Sequence, residues 1–356
     1  MQKAYLNRIA TAVPPHDVHR KFVEHAPSLL ADERSRRLFR RMADRAQIDH
    51  RYSFLEPDPA PGTLDRVGFF RRGAFPDTAT RMRFYESHAF GLARDALGTL
   101  GLEAGRERIT HLIVTTCTGF YAPGLDLQVM DHLGLDVGVE RTTVGFMGCQ
   151  AALPGLKLAT HIVRSEPTAR VLMLNLELCT IHLQETSDLE SVLSFLIFAD
   201  GCAASLISAE PTGLEILGFA SAVLPASRDQ IRWHIGNNGF LMWLDGAVPG
   251  TIARGLPDHA RAMTGGLHPH EIDLWAVHPG GRSVLDAVQD ALRLDEEALA
   301  ASRAVLRDHG NMSSATIMFV LRRILAQGEP GRHGCALAFG PGLTAEALRF
   351  RVCGPA

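Results

Sequence analysis

The sequence predicts an α/β fold built twice over. Three features carry that expectation: short, continuously apolar runs, stretches of helical periodicity between them, and the return of the same alternation in the second half. Residues 111–117 (HLIVTTC) and 170–176 (RVLMLNL) are apolar on both faces rather than alternating, as strands are when helices cover both sides of a sheet.

Taken in order, residues 1–80 read as irregular, with Pro57, Pro59, Pro61 and Gly62 in one loop and Gly73 and Pro76 in another. From Met82 the regular pattern begins. Residues 85–100 form a helix, 111–117 a strand, 125–133 a short helix and 141–146 a strand. Residues 150–164 form a helix, 170–176 a strand, 187–198 a helix and 202–208 a closing strand. The second half follows with strand 214–222, helix 249–264, strand 273–277, helices 283–292 and 313–325, and strands 334–339 and 348–352. The alternation implies layered sheets and helices. Its return implies an internal duplication, although the two halves do not repeat letter by letter.

A length of 356 residues accommodates one large domain or two ordinary ones. With 46% hydrophobic and 21% charged residues, a sizeable core is expected, and a net charge of −3 gives no general pull toward nucleic acid. The cysteines at 117, 149, 179, 202, 335 and 353 form no CxxC pair, so they read as reduced thiols. The opening MQKAYLNRIATAVPP lacks an apolar core of the kind a secretory signal needs. The most apolar stretch, 192–199, is cut by Asp200 and Gly201, well short of the roughly 18 residues a membrane span requires. A soluble cytoplasmic protein is expected.

The chemistry centres on Cys149. A β-branched run ends in Gly145-Phe146-Met147-Gly148-Cys149, and a small-residue helix starts at once. That arrangement places a thiol at a strand tip and a helix N-terminus, whose partial positive charge favours the thiolate. Such a nucleophile needs a base and groups that stabilise an oxyanion. His278 ends a strand in Val277-His278-Pro279-Gly280-Gly281, and Asn311 follows a glycine just before a helix in Gly310-Asn311-Met312-Ser313-Ser314. A third glycine turn, Phe339-Gly340-Pro341-Gly342, offers a rigid cavity floor. Each has a bland reading alone: an inert core thiol, a satisfied core histidine, an N-cap, a turn. Their joint placement at glycine-bounded element ends favours a site.

At these motifs the chain resembles the type III polyketide synthases, the chalcone synthase-like enzymes of the thiolase fold. Further matches are Thr116-Cys117-Thr118-Gly119 with Pro123-Gly124 and Asp126, Phe198-Ala199-Asp200-Gly201, and Val248-Pro249-Gly250. The likeness runs in consistent order from about Val13 to the C-terminus, with details closer to bacterial than plant members. It implies duplicated thiolase-like αβαβα layers with mixed sheets. One half spans 1–210 with the nucleophile and the coenzyme A-side arginines; the other spans 211–356 with the histidine and asparagine.

By the same resemblance, Cys149 is the acyl-carrying nucleophile, held as thiolate by His278. His278 and Asn311 then stabilise the enolate left when malonyl-CoA loses CO₂. Repeated condensation, cyclisation and release give a small polyketide, with acyl-CoA and malonyl-CoA as substrates and no cofactor or metal. The pocket residues implied are Phe198, Met242, Trp233, His182, Ser194, Cys117, Thr118 and Ser313. Phe198 and Met242 fall at gatekeeper positions, and the thioether replaces a plant Phe. Trp233 stands where plant enzymes carry Gly, and His182 replaces a small polar residue. Both departures argue against a chalcone-type product and lean toward aliphatic starters and pyrone- or resorcinol-type products.

Arg37, Arg41 and Arg45 recur every fourth residue on a presumed helix, forming a cationic stripe. The resemblance assigns it coenzyme A phosphates; the bland alternative is a solvated face paired with Asp32, Glu33 and Asp44. A homodimer is implied, with Ala122 departing from the plant residue at the dimer-crossing loop. His268 and His270 lie in a loop without further ligands and do not read as a metal site. Two other classes share a Cys-His-Asn set: a ketoacyl-acyl carrier protein synthase III that condenses once, and a thioester hydrolase. A non-catalytic coenzyme A-binding scaffold is a third. The Met-Ser-Ser after Asn311 and the Phe-Gly-Pro-Gly-Leu-Thr ending favour the polyketide branch.

Overall fold

A computed structural model describes residues 2–102, 108–225 and 227–354. The chain opens with strand β1 (Tyr5–Ala12), then β2 (His16–Asp17), helices α1 (His19–His25) and α2 (Glu33–Arg45), and β3 (Tyr52–Ser53). Helix α3 (Thr78–Leu100) leads into β4 (His111–Thr116), α4 (Leu125–Leu133), β5 (Glu140–Gly145) and α5 (Ala152–Ser165). Strand β6 (Val171–Leu178), α6 (Leu189–Ile197) and β7 (Asp200–Ser208) complete this half. The second half runs through β8 (Gly213–Val223), β9 (Ile231–Gly236), β10 (Gly239–Leu244), α7 (Val248–Met263), β11 (Leu274–Val277) and α8 (Arg282–Leu292). It ends with α9 (Ala300–His309), α10 (Thr316–Gln327), β12 (His333–Gly340) and β13 (Thr344–Gly354).

The main sheet has the order β11-β12-β13-β8-β1-β7-β6-β4-β5. It repeats one pattern. On one side β4 and β6 are parallel, and β6–β7 and β7–β1 are antiparallel. On the other, β11 and β12 are parallel, and β12–β13 and β13–β8 are antiparallel. Within the sheet, the described residues join the two blocks where Tyr5 and Leu6 of β1 meet Glu215 and Leu214 of β8, beside the Ile216 N–H bonded to the Ala4 carbonyl at 2.9 Å.

Helices α5 and α10 are sandwiched between the blocks. Leu153 and Leu156 of α5 and Ile317 and Phe319 of α10 share one core with Met173 and Ile207 of the first block and Ala336 and Leu348 of the second. Helices α3 and α4 cover the outer face of the first block, and α7 and α8 that of the second. The layering is therefore α–β–α–β–α. Strands β6 and β7 are buried along their whole length, which explains why both are mostly apolar on their two faces.

The structure corrects the irregular reading of residues 1–80. Strand β1 lies at the sheet's middle, disguised by Asn7 and by a register shift between Leu6 and Arg8. The buried Asn7 side chain is satisfied by the Glu210 and Thr212 carbonyls and by Ser208. Helix α3 starts earlier than expected because the Asp77 side chain caps it, accepting from the Thr80 N–H at 2.8 Å. The β9–β10 hairpin and α9 were also not expected.

Candidate active site

Strand β5 delivers the chain to Phe146 (φ +57°) and Gly148 (φ +67°), and a single 3₁₀ turn, Gly148–Gln150, holds Cys149 ahead of α5. A Cβ on Gly148 would sit 2.4 Å from Cδ of Pro341. Glycine thus answers both the backbone angle and the close approach of the Gly340-Pro341-Gly342 turn.

His278 emerges at the end of β11, its N–H bonded to the Leu337 carbonyl at 2.7 Å. The residue is 1% exposed, and neither ring nitrogen has a hydrogen-bond partner among the described residues. Asn311 follows α9. Its Oδ1 accepts from the Ser313 N–H at 2.9 Å, while its Nδ2 donates to the Gly280 carbonyl at 3.3 Å. Those bonds orient the amide, and both its ends lie about as far from Cys149 Sγ, at 3.9 and 4.0 Å. Through Gly280, the asparagine loop is tied to the histidine loop.

Burial pushes the Cys149 thiol up to about 11 and pulls the His278 imidazole down to about 3. Burial therefore opposes the helix end, which favours the thiolate.

Cys149, His278 and Asn311 share an apolar cavity with Cys117, Thr118, Ser313, Phe198, Trp233 and Met242. The β9–β10 hairpin forms one wall. Trp233 pairs with Met242 across it, and alternation turns Ile231 and Leu244 inward as well. The Trp233 indole N–H donates to the Cys117 carbonyl at 2.7 Å, and Phe198 sits at the end of α6.

His182 and Ser194 do not line this cavity. His182 is fully buried, stacked on Phe240 with ring centres 4.4 Å apart. Its Nε2–H donates to the Thr118 carbonyl at 2.7 Å and its Nδ1 accepts from the Phe240 N–H at 3.0 Å. It props the hairpin from behind. Ser194 bonds back to the Glu190 carbonyl of its own helix.

Sequence reading missed Glu177. Its fully buried carboxylate accepts from the Cys117 N–H (2.9 Å), Thr118 Oγ1 (2.8 Å) and Ser314 Oγ (2.6 Å), fixing the cavity floor. Burial raises its pKa. The signal was a lone acid in the apolar run LMLNLEL, since an unpaired buried glutamate is rare.

On α2, Glu33 is taken by Arg36 and Arg40. Arg37, Arg41 and Arg45 are exposed and make no ion pair among the described residues. The carbonyl of Arg45 accepts from Arg282 at 3.3 Å, so the stripe ends beside the loop that carries His278.

A five-layered fold with a cysteine, a histidine and an asparagine converging from three element ends on one cavity fits the thiolase fold. The comparisons narrow the class. The family profile "Chalcone and stilbene synthases, N-terminal domain" matches residues 2–211, and its C-terminal counterpart matches 215–353. The chain belongs to this family, the type III polyketide synthases, which condense malonyl-CoA iteratively into polyketides.

One relative is the alpha-pyrone synthesis polyketide synthase-like Pks18 of Mycobacterium tuberculosis. It is 32% identical, with 98% of this chain and 91% of the relative covered. Among solved structures, PKS-I from the brown alga Ectocarpus siliculosus superposes with a TM-score of 0.87 at 31% identity, covering 99% of each chain. The 1,3,6,8-tetrahydroxynaphthalene synthase of Streptomyces coelicolor, a bacterial type III enzyme, gives 0.88 at 26% identity, covering 99% of this chain and 100% of that one. Among the described residues, no helix is long and apolar enough to cross a membrane.

Proposed function

We propose that Cys149 accepts a starter acyl group from an acyl-CoA and that malonyl-CoA extends it in repeated decarboxylative condensations. The observation that carries this reading is the meeting of Cys149, His278 and Asn311 on one apolar cavity. In loading, the thiol proton passes to His278, the sulfur attacks the thioester carbonyl, and coenzyme A leaves as the thiol with that proton. Malonyl-CoA then places its thioester oxygen against the remaining N–H of neutral His278 and the Asn311 amide. Loss of CO₂ leaves an enolate, whose charge those donors stabilise. The enolate carbon attacks the Cys149 thioester, and the cysteine sulfur departs. The lengthened acyl-CoA reloads for the next round, until the product cyclises and leaves. An amide suits this better than a carboxylate, which would repel the enolate.

Phe198, Met242, Trp233, Cys117, Thr118 and Ser313 shape the growing chain. Trp233 and the adaptable Met242 suit aliphatic starters and a pyrone- or resorcinol-type product, and the relative named for alpha-pyrone synthesis supports the pyrone type. Arg37, Arg41 and Arg45 take the coenzyme A phosphates. The substrates are coenzyme A thioesters, with no further cofactor. Residues 1–210 and 211–356 act as the two halves. The edge strand β5, exposed along most of its length, and exposed Phe120 and Met147 support a homodimer. Six free cysteines suit the reducing cytoplasm.

Incubation with an acyl-CoA and labelled malonyl-CoA, without carrier protein, tests the reaction. Released CO₂ together with a product several malonyl units longer is expected. Strict dependence on a carrier protein would favour single condensation, and free starter acid without CO₂ would favour hydrolysis.

A further inference from the structure

Cys149 belongs to the first half of the chain, His278 and Asn311 to the second. Their alignment therefore depends on how the two halves are held together at the nucleophile itself. Among the described residues, no side chain caps the turn that carries Cys149.

The residue after the nucleophile, Gln150, is polar yet only 4% exposed. A buried polar side chain needs a partner, and this one finds it in the other half. Its Oε1 accepts from Thr344 Oγ1 at 2.5 Å. Gly340 makes room for the amide, since a Cβ there would lie 2.6 Å from Cδ of Gln150.

Gly340 and Thr344 are no arbitrary anchors. Gly340 ends β12, Thr344 opens β13, and the two pair across the turn whose Pro341 packs on Gly148. Three residues earlier on β12, the Leu337 carbonyl holds the His278 N–H at 2.7 Å. One strand of the second half thus fixes the histidine at Leu337 and meets the nucleophile's turn at Gly340.

We propose that Gln150 is a positioning residue: tethered to Thr344, it fixes the Cys149 turn against β12, the strand that also holds His278, and so sets the alignment in which the thiol meets an acyl thioester. This rests on the reading of Cys149 as the acyl carrier and adds what keeps that carrier in register. Gln150 acts through the peptide that joins it to Cys149 and through no contact with substrate.

The test is the single-turnover rate at which a starter acyl-CoA acylates Cys149, read from the mass of the intact protein, beside the rate of Cys149 alkylation by iodoacetamide. Thr344→Val and Gln150→Met each remove the bond at nearly constant volume, and Thr344→Ser keeps the hydroxyl. Both bond-removing variants should slow acylation at saturating acyl-CoA by about tenfold, with the half-saturating concentration unchanged. Alkylation needs no alignment with His278 or Asn311 and should keep its wild-type rate. Thr344→Ser should retain most of the acylation rate. The double variant Gln150→Met/Thr344→Val should be no slower than the slower single, because both changes remove one bond. A wild-type acylation rate in Thr344→Val, an equal loss in Thr344→Ser, or losses that multiply in the double variant would overturn the proposal. Thr344→Val and Thr344→Ser carry the test alone if Gln150→Met does not fold. Failure of the underlying reading looks different: the wild-type protein itself would then gain no acyl group on Cys149.

Discussion

Gly148 shows how closely one residue can be held. Its backbone lies at φ +67° and its missing Cβ leaves room for Pro341. Gly148→Ala should lower stability by about 1–3 kcal/mol and displace Cys149, with condensation falling more than thermal midpoint. Paired denaturation and turnover assays read both; an unchanged variant would show that the turn has slack. The neighbouring thiol makes a pH prediction. A thiol held near 11 is protonated at pH 7, so iodoacetamide alkylation of the unliganded enzyme should quicken about tenfold per pH unit from 7 to 9, following the thiolate fraction. A plateau reached below pH 7 would mean a standing thiolate–imidazolium pair. At this scale the meeting of Cys149, His278 and Asn311 on one cavity was legible, because glycine-bounded element ends advertise it. His182 was misplaced because a position in a motif does not say which way a side chain points. It points at Phe240 and the Thr118 carbonyl.

Among the elements, the buried strands announced themselves, since a short run apolar on both faces belongs in a sheet that helices cover on both sides. Strand β1 did not, because Asn7 finds its partners two hundred residues away, and no local pattern anticipates that. The β9–β10 hairpin was readable in principle from alternation around the tight turn Asn237-Asn238, and it supplies the Trp233–Met242 wall. On helix α2 the distribution of acids divides the arginines into two sets. Glu33 occupies Arg36 and Arg40 and leaves the 37–41–45 stripe free. Replacing Arg37, Arg41 and Arg45 together by Ala should raise KM for acyl-CoA and malonyl-CoA by about tenfold or more at low salt, less at high salt, with kcat little changed. Steady-state kinetics across ionic strength would check it; a fall in kcat at constant KM would remove the stripe from substrate binding.

For the whole molecule, the same strand pattern occurs twice, and the site is drawn from both copies. Cys149 follows a strand of the first block, whereas His278 and Asn311 come from the second. Helices α5 and α10, packed between the blocks, set the distance across which the chemistry runs. The duplication was visible in the order of elements. The narrow seam at Tyr5–Glu215 and Leu6–Leu214 was not, since it depends on the β1 strand hidden at the start of the chain. Intact-protein mass spectrometry reads out whether Cys149 carries the acyl group. After brief exposure to a starter acyl-CoA without malonyl-CoA, the wild-type protein should gain the mass of one acyl group, mapped to the Cys149 peptide and discharged by malonyl-CoA as product forms. Cys149→Ala should gain none. Acylation on another residue, or product formation by Cys149→Ala, would rule out Cys149 as the acyl carrier.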